Sequence, residues 1–233
     1  MIIFVDGNIG VGKSTLISNL RDYYTEKGHT VKVLDEILPD MSEFYEWLVD
    51  PNSSYNAYEF EVKLLSTRLY QLMHAVASTI ESDIVLVDRS HFGNAAFMLV
   101  LHHMGRFDNH QLDAYIDTMQ NIDTNVRIST YSTHALMYIN LVASTDVLLN
   151  RIYKRGRPEE ANITKDYLSM VDAAYDEIIE IFNKRTTSIR SYSLKLGNNY
   201  EVIDANKTPL VVMKTVVDKI NQYVDKMGLP KLE

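Results

Sequence analysis

The sequence predicts an α/β fold, in which parallel strands alternate with helices along the chain. Five short apolar runs, each bounded by polar residues, recur over the 233 residues. Continuous apolar runs of this length are typical of strands buried on both faces of a parallel sheet. Segments of helical length separate them, and this alternation is the element order of an α/β protein. The predicted strands are Ile2 to Val5, Val31 to Leu34, Ile84 to Val87, Leu136 to Val142 and Tyr200 to Ile203, and the main predicted helices are Thr15 to Lys27, Ala57 to Ile80, His91 to His102 and Thr164 to Phe182.

A glycine-rich run joins the first predicted strand to the first predicted helix. Its residues satisfy the pattern G-x-x-x-x-G-K-S, and a strand before that pattern with a helix after it is the setting of a phosphate-binding loop. In such a loop backbone N–H groups turn toward an anion, the lysine reaches the outer phosphates and the serine hydroxyl can contact Mg²⁺. The alternative is a glycine-rich turn without a ligand. The predicted phosphate-binding residues are Gly7, Asn8, Ile9, Gly10, Val11, Gly12, Lys13, Ser14 and Thr15.

Composition limits the possible classes of protein and partner. The absence of cysteine excludes a disulfide framework and a thiolate metal site, which suits a reducing cytosol. A net charge of -8 argues against nucleic-acid binding through phosphate contacts, and no apolar run reaches the ~18 residues of a membrane span. We therefore expect a cytoplasmic protein with a single domain over residues 1–233 and no nucleic-acid or membrane partner. The least ordered stretches are expected at Pro51 to Ser54, at Asn125 to Ser132 and in the tail after Met227.

Charged residues follow the predicted strands at the edge where ligands bind. In an open parallel sheet the ligand lies beyond the carboxyl ends of the strands. Asp35 and Glu36 follow the second strand, the run Asp88-Arg89-Ser90 follows the third, and a helix with three arginines follows the fourth. We expect all of these residues to converge on the phosphate loop.

The three arginines suggest a lid over about residues 151–162. Arg151, Arg155 and Arg157 run from a helix end into a glycine-proline turn, and planar guanidinium groups can fold over a triphosphate and neutralise its charge. Because three arginines repel one another without an anion between them, the lid should close only over bound nucleotide. The alternative is a solvated basic helix terminus, which the helix dipole favours.

Taken together, these motifs resemble a family of kinases. The runs DGNIGVGKST, Asp35-Glu36, DRS at 88 to 90 and RIYKRGRPEE at 151 to 160 are similar to those of the deoxycytidine, deoxyguanosine and deoxyadenosine kinase group. The similarity covers most of the chain in the right order, and the arginine-rich lid is its most specific part. The resemblance implies a P-loop kinase with a five-stranded parallel sheet wrapped by helices. It also implies ATP-dependent phosphorylation of the 5′-hydroxyl of a deoxyribonucleoside, usually by a homodimer.

The residues after the second strand supply a candidate base for this chemistry. A sugar hydroxyl is a poor nucleophile, so a carboxylate must accept its proton while cationic groups hold the γ-phosphoryl group in line. Glu36 matches the glutamate that the family places there, although only one of Asp35 and Glu36 can point inward from a strand end. A surface acidic pair is the alternative. The predicted catalytic residues are Glu36, Arg89 and Lys13.

The run after the third strand supplies a candidate metal ligand and a cation. Asp88 could hold Mg²⁺, brought in with ATP, together with Ser14. Arg89 would then place positive charge where negative charge develops during transfer. A purely structural Asp-Arg pair is the alternative. No histidine spacing in the sequence is typical of a transition-metal site.

The nucleobase site is expected on the predicted helix from Ala57 to Ile80. Glu61 and Arg68 lie seven residues apart and so face one side of it, and Asn94 is the third candidate. The family has glutamine, arginine and aspartate at the matching places, so an amide and a carboxylate have changed places here. Because a carboxylate only accepts hydrogen bonds, Glu61 favours a purine, guanine first. Alternatively, Glu61 merely neutralises Arg68 and Asn94 alone reads the base.

The sugar site is less well defined by the sequence. Glu160 matches the residue that holds the 3′-hydroxyl in the family, and Tyr45 or Tyr55 could replace the tyrosine that usually assists it. Three other aromatic residues are expected to pack in the core and not to stack on a base, because aromatic residues at helical spacing usually pack. They are Phe92, Phe97 and Trp47.

Two other functions remain open at this level. A nucleoside monophosphate kinase of the thymidylate kinase type shares the phosphate loop, the DR motif and the lid. It would need further arginines for the acceptor phosphate, and none stands beside Glu36. A nucleotide-dependent regulatory binder is the second alternative, but the N-K-x-D and D-x-x-G motifs of a guanine-nucleotide switch are absent.

Overall fold

The computed structural model describes residues 1–38, 40–42, 44–45, 56–130, 136–184 and 199–232. The strands are β1 (Ile2–Gly7), β2 (Val31–Leu34), β3 (Ile84–Asp88), β4 (Leu136–Val142) and β5 (Tyr200–Asp204). The helices are α1 (Lys13–Glu26), α2 (Ala57–Ser78), α3 (His91–His103), α4 (Asn109–Thr130), α5 (Thr145–Arg155), α6 (Lys165–Lys184) and α7 (Pro209–Met227), with a 3₁₀ turn at Pro158–Glu160.

The five strands form one parallel sheet in the order β2-β3-β1-β4-β5. In the register of the central strands, Ile2 pairs with Val85 of β3 and with Leu136 of β4. Strands β1 and β3 are buried at every residue, as a sheet covered by helices on both faces requires. The outer strands differ from the prediction, because β2 and β5 are each buried at a single residue only. An edge strand has one neighbour and part of its surface remains open to solvent.

Every predicted strand is present, and the main predicted helices lie within about two residues of their expected ends. The prediction for residues 125–132 was wrong over 125–130, which form the last turns of α4. The expected irregular stretch from Pro51 to Ser54 lies outside the described residues. The tail after Met227 has no regular structure up to residue 232, although Leu229 and Leu232 pack against the core. No helix of the described residues is long and apolar enough to cross a membrane.

The junction of β3 and α3 fixes the residues that follow the third strand. The Ser90 hydroxyl accepts hydrogen bonds from the backbone N–H groups of Phe92 and Gly93, and it donates to Asp6 at 2.5 Å. A Cβ atom on Gly93 would lie 2.1 Å from Asp6 Oδ1, so only glycine fits there. Phe92 is buried beside Tyr138, as its predicted core position requires. The start of α3 is therefore held against β1, directly beside the phosphate loop.

Candidate active site

Two adjoining cavities lie beyond the carboxyl ends of the strands. The first, here called the loop cavity, has a volume of 410 Å³ and lies over the predicted phosphate loop. The second, here called the inner cavity, has a volume of 360 Å³ and lies between β2, α2 and α3. Lys13, Ser14, Arg155 and Arg157 line both cavities, so the two spaces meet at the start of α1. The predicted base, sugar and catalytic residues line the inner cavity: Glu36, Glu61, Arg68, Arg89, Asn94 and Glu160.

The phosphate loop is held in place by helix α6. Three of its glycines have positive φ angles, among them Gly12 at 110° directly before α1, a region that residues with a side chain rarely adopt. The Asn8 side chain donates to Leu168 O at 2.8 Å and to Asp172 at 2.7 Å. The hydroxyl of Tyr175, also on α6, donates to Gly7 O. The backbone path of the loop is therefore fixed by contacts from α6.

Lys13 lies at the boundary between the two cavities. Its Nζ donates to Gly7 O at 3.2 Å and to Asn8 O at 3.1 Å, so the ammonium group is bound to the loop itself. Burial and the positive charge of Arg89 lower the pKa of Lys13 to about 7. An anion in the loop would reverse this shift, because it stabilises the charged form. The lysine is thus placed for an anionic ligand.

Glu36 is held by two arginines. Its Oε1 accepts a hydrogen bond from Arg68 Nη2 at 2.6 Å and forms an ion pair with Arg89 Nε at 2.9 Å, and its Oε2 accepts no hydrogen bond from the part of the chain that the structure describes. Burial opposes ionisation, but Arg89, Arg68 and Lys13 together lower the pKa of Glu36 to about 2. The neighbouring Asp35 is exposed and makes no such contact. Asp35 also lines the inner cavity, but of the two candidates for the base only Glu36 is paired with arginines.

Arg89 occupies an unusual backbone position. Its φ of 67° is the only positive value at a non-glycine residue in the described part of the chain. The guanidinium group pairs with Glu36, donates to Gly7 O at 3.0 Å and lies 4.8 Å from the ring centre of Phe97. This arrangement puts a fully buried positive charge beside both the candidate base and the phosphate loop.

Ser14 and Asp88 fit a magnesium ion. The Ser14 hydroxyl donates to Asp88 Oδ2 at 3.3 Å, while Asp88 Oδ1 is buried without a donor among the described residues. Burial raises the pKa of Asp88. Oxygen ligands of this kind suit Mg²⁺, which usually takes one or two protein ligands and completes its shell with phosphates and water. Within the described ranges no cluster of three or more histidine, aspartate or glutamate residues could hold a metal on its own.

The three lid arginines do not behave alike. Arg151 donates to Val11 O and to Ala205 O, each at 2.8 Å, so it braces the loop and does not lie free to cover a ligand. Arg155 and Arg157 both pair with Glu160. The premise that the arginines repel one another until an anion arrives is therefore wrong, because the Glu160 carboxylate already lies between two of them.

The base-reading candidates are brought together in the inner cavity, but not in the expected pairing. Arg68 forms its ion pair with Glu36, and no ion pair joins it to Glu61. Glu61 instead accepts from Asn94 Nδ2 at 2.9 Å. Burial raises the pKa of Glu61 to about 8, against the opposing influence of Arg68 and Asn94. The alternative in which Glu61 serves only as the counter-charge of Arg68 is therefore wrong.

The structure describes some, but not all, of the residues predicted to bind the sugar or to pack as aromatic core residues. Tyr45 lines the inner cavity together with Glu160. Burial raises the pKa of Tyr45, and the negative charge of Glu160 raises it further. Tyr55 and Trp47 lie outside the described residues. Phe97 packs against the core, as predicted, and also lines the inner cavity.

Sequence reasoning missed Gln71, which joins three elements. Its Nε2 donates to Asp35 O at 3.0 Å and to Asp88 O at 3.1 Å, and its Oε1 accepts from Arg68. One amide on α2 therefore ties the ends of β2 and β3 together, directly behind the candidate base and the candidate metal ligand. Its spacing three residues after Arg68 was the available signal, since such residues share a helix face.

A parallel sheet of this order, a phosphate loop before α1, and a buried carboxylate held by arginines after β2 define a nucleotide-binding kinase of the P-loop type. The chain belongs to the deoxynucleoside kinase family, whose model matches residues 3–227. Members of this family bind ATP and are phosphotransferases, so the predicted fold, enzyme class and deoxynucleoside kinase activity are confirmed.

Named relatives agree with this assignment. A deoxyguanosine kinase of Lactobacillus acidophilus is 28% identical over 225 residues, which cover 95% of this chain and 91% of the relative. A deoxyadenosine kinase of Dictyostelium discoideum is 25% identical over 194 residues, covering 81% and 70% of the two chains. The structure of a deoxyadenosine kinase from M. mycoides with bound dATP has the same fold, with a TM-score of 0.63 at 21% identity over 95% of this chain and 100% of that one.

Proposed function

We propose that this protein transfers the γ-phosphoryl group of ATP to the 5′-hydroxyl of a deoxyribonucleoside, with a purine favoured. The observation that carries the proposal is the position of Glu36. Its carboxylate lines the inner cavity, where Arg68 and Arg89 hold one oxygen and leave the other without a partner among the described residues. Lys13, at the meeting point of the two cavities, marks where the phosphates would lie. An acceptor in the inner cavity would thus face a donor in the loop cavity.

In the proposed reaction the 5′-oxygen attacks the γ-phosphorus, and the bond from phosphorus to the β–γ bridging oxygen breaks. The proton of the hydroxyl passes to Glu36 Oε2, and ADP leaves. A carboxylate with a pKa of about 2 is a weak base. It suits a loose transition state, in which little bond formation precedes departure of the leaving group and the proton moves late. Arg89 and Lys13 would stabilise the charge on the transferred group.

The remaining predicted residues take supporting roles in this proposal. Ser14 and Asp88 would hold Mg²⁺, which neutralises phosphate charge when bound. Backbone N–H groups of residues 7–15 would bind the phosphates. Arg155 and Arg157 would turn from Glu160 to the outer phosphates, while Arg151 keeps the loop in place. Glu160, beside Tyr45, would hold the sugar 3′-hydroxyl.

The proposed purine preference rests on Glu61 and Asn94, which stand where the family has glutamine and aspartate. Glu61, Arg68 and Asn94 line the same cavity, and Asn94 bonds directly to Glu61. Guanine presents N1–H and N2–H₂ side by side, so a site with acceptors would suit it. Deoxyguanosine is accordingly the first candidate substrate and deoxyadenosine the second.

We also propose the coarser properties that the sequence suggested. The chain would form a single kinase domain over residues 1–233, with a lid at about 151–162. It would act in the cytoplasm as a homodimer, as is usual in the family. Light scattering on the purified protein measures the mass directly, and a monomer at micromolar concentration would contradict the dimer.

The deciding experiment is an assay with a panel of acceptors. The four common deoxynucleosides and thymidine monophosphate are each incubated with ATP, Mg²⁺ and the purified protein, and labelled products are separated. Above a pH of about 8, where Glu61 is ionised, we expect phosphorylation of deoxyguanosine, weaker phosphorylation of deoxyadenosine and none of the monophosphate. Preference for the monophosphate would favour a thymidylate-kinase-like activity, whereas ATP binding without any turnover would favour a regulatory binder.

A further inference from the structure

A buried polar triangle joins helices α2, α3 and α4. Asn94 Nδ2 donates to Glu61 Oε2 at 2.9 Å and to the Tyr115 hydroxyl at 2.6 Å. All three side chains are at most 3% exposed. Glu61 and Asn94 line the inner cavity, whereas Tyr115 supports Asn94 from α4. Tyr115 has no counterpart among the residues that the sequence motifs indicate.

The triangle determines which end of the Asn94 amide faces the cavity. A side-chain amide has one donor end with two N–H groups and one acceptor end. In the arrangement described, Glu61 and Tyr115 engage both N–H groups. Asn94 Oδ1 accepts no hydrogen bond from the described residues and is not among the buried atoms without a partner, so it is open to the cavity. The amide therefore offers an acceptor to any ligand there.

A second arrangement becomes available when Glu61 carries a proton. The amide can turn by half a rotation, so that its oxygen accepts from both the Glu61 carboxyl and the Tyr115 hydroxyl. The 2.6 Å separation between Asn94 and Tyr115 is at the short end for O–H···O bonds and shorter than is usual for N–H···O bonds. The NH₂ group would then face the cavity. The two arrangements differ by one proton, and in both Asn94 bonds to Glu61 and to Tyr115 while its other end faces the cavity.

The surroundings make Glu61 the group that can gain or lose this proton near neutral pH. Burial raises its pKa to about 8, while Arg68 on the same helix and the bond from Asn94 act in the opposite direction. Tyr115 of α4 and Tyr167 of α6 also face it, and burial raises the pKa of both phenols well above that range. Of Glu61 and these two phenols, only Glu61 has a pKa near neutral.

We propose that Glu61, Asn94 and Tyr115 act as one unit in which the proton on Glu61 selects the nucleobase. With Glu61 ionised, both Glu61 and Asn94 present acceptors, which suits the N1–H and N2–H₂ edge of guanine. With Glu61 neutral, Asn94 presents its N–H donors, which suits an edge with an acceptor nitrogen, such as that of adenine. Tyr115 is a positioning residue in this unit. The inference rests on the proposed function only in naming a deoxynucleoside as the ligand.

The first test uses the protein without any ligand. The Glu61 carboxyl carbon and the Asn94 side-chain amide are followed by NMR from pH 6 to 9, with assignments from Glu61→Gln and Asn94→Asp. We expect both signals to change with one midpoint, and the Asn94 change to disappear in Glu61→Gln. A Glu61 titration that leaves the Asn94 amide unchanged would overturn the coupling, as would a carboxyl that stays ionised across the range. This result does not depend on whether the protein is a kinase.

The second test measures kcat/KM for deoxyguanosine and deoxyadenosine over pH 6.5 to 8.5. Effects of Lys13 and Glu36 on the chemistry are common to both substrates and cancel in the ratio. We expect the ratio to rise toward guanine by up to about tenfold per pH unit, the slope for a single proton. In Glu61→Gln, which cannot titrate, the ratio should be flat, and this variant also controls for ionisation of guanine itself.

Tyr115→Phe separates positioning from simple packing. The ring remains while the hydroxyl is lost, so a purely structural role would lower both kcat/KM values together and leave the slope unchanged. We expect a smaller slope instead. A flat ratio in the wild type, or a slope that persists in Glu61→Gln, would refute the inference. Absence of turnover with every deoxynucleoside would refute the proposed function. The NMR titration would still show whether the Asn94 amide responds to the proton on Glu61.

Discussion

Glu36 and Glu61 line the same cavity, yet their surroundings give them opposite properties. Two arginines hold Glu36 and its pKa falls to about 2, whereas an amide is the direct partner of Glu61 and its pKa rises to about 8. Arg68 influences both, but it bonds only to Glu36. Burial raises the pKa of both carboxyl groups, and only at Glu36 do the nearby charges of Arg89, Arg68 and Lys13 outweigh it. At Glu36 the inner cavity stabilises a charged carboxylate through ion pairs, whereas at Glu61 it offers a hydrogen-bonding partner.

The two ends also differ in how they are supported. At the phosphate end, side chains bond to backbone atoms: Asn8 to Leu168 O, Arg89 to Gly7 O and Arg151 to Val11 O. At the base end, Glu61, Asn94 and Tyr115 bond to one another. Side-chain partners can be exchanged without moving the chain, whereas backbone bonds fix the path of the loop. Substitutions at the phosphate end should therefore remove activity, and those at the base end should redirect it.

The largest effect is expected for Lys13→Ala. Removing the side chain placed to reach the outer phosphates should lower kcat by about 10³- to 10⁵-fold, the range seen for cationic groups in phosphoryl transfer. The fold should survive, because Lys13 Nζ contacts only two loop carbonyls in the free protein. Turnover and melting temperature are measured together. The exposed Lys214→Ala serves as control, and a kcat within a few-fold of wild type in Lys13→Ala would refute the role of the loop.

Glu36→Gln should lower kcat by about 10²- to 10⁴-fold, because a neutral amide cannot take the hydroxyl proton. ATP should still bind, since Glu36 lines the inner cavity and not the loop cavity. Nucleotide affinity by calorimetry and single-turnover rates give the two quantities. Asp35→Asn is the matched control with the neighbouring carboxylate. Loss of activity in Asp35→Asn with activity retained in Glu36→Gln would show that the wrong carboxylate was chosen.

The raised pKa of Glu61 predicts that the free energy of unfolding depends on pH. Glu61 keeps its proton in the folded protein up to a pH of about 8, whereas in the unfolded chain it ionises near its ordinary pKa of about 4.3. Between these values the folded state binds more protons, so the contribution of Glu61 to stability falls as pH rises.

Glu61→Gln removes that titration. Relative to wild type, its free energy of unfolding should rise by about 2–4 kcal/mol between pH 5 and pH 8. Urea unfolding at both pH values measures it. Glu59→Gln, an exposed position on the same helix, should show no comparable change. Parallel pH profiles for wild type and Glu61→Gln would indicate that Glu61 is ionised in the fold.

Substitutions of Arg155 and Arg151 should distinguish an arginine that binds ATP from one that stabilises the phosphate loop. Arg155→Ala should raise the KM for ATP roughly tenfold to 100-fold, the equivalent of one charge-assisted hydrogen bond, with little change in melting temperature. Arg151→Ala removes two bonds to backbone carbonyls and should lower the melting temperature. Steady-state kinetics and thermal unfolding on both variants provide the comparison. Equal effects on both quantities would show that the two arginines have the same role.

The smallest effect is expected for proteolysis of the lid. Glu160 already holds Arg155 and Arg157 in the free protein, so ATP should slow cleavage near Gly156 by only about threefold, as expected where a ligand shifts an existing equilibrium. In Glu160→Gln the dependence on ATP should increase, since the arginines lose their internal partner. Cleavage rates that are the same with and without ATP in both proteins would contradict a mobile lid.

Much of the fold could be predicted because its signals are local. Apolar runs mark the strands, and the glycine-rich loop marks the start of α1. The helix α4 was missed in part because residues 121–130, with Asn121, Asp123 and Asn125, are poor helix formers. Such intrinsic preferences are weak, and the surroundings of a helix, which can override them, cannot be read from its own sequence.

The site was predictable where residues follow strand ends, and less so where contacts join distant helices. Glu36, Asp88 and Arg89 could be named because the ends of parallel strands meet at one edge. Gln71 bonds to Arg68 three residues away, but its bond to Asp88 O spans 17 residues, and the bond between Tyr115 and Asn94 spans 21. The bracing role of Arg151 depends on a contact 140 residues away. No spacing rule covers such contacts.

The backbone of Arg89 has a consequence for attempts to improve this protein. A left-handed conformation at a residue with a side chain costs roughly 1–2 kcal/mol. Glycine would relieve the strain but would delete the guanidinium group, and with it one of the two arginine partners of Glu36. Stabilising designs that score each position by backbone preference would select glycine or asparagine at position 89. They would produce a more robust scaffold that had lost its chemistry, so this position should be held constant in any such redesign.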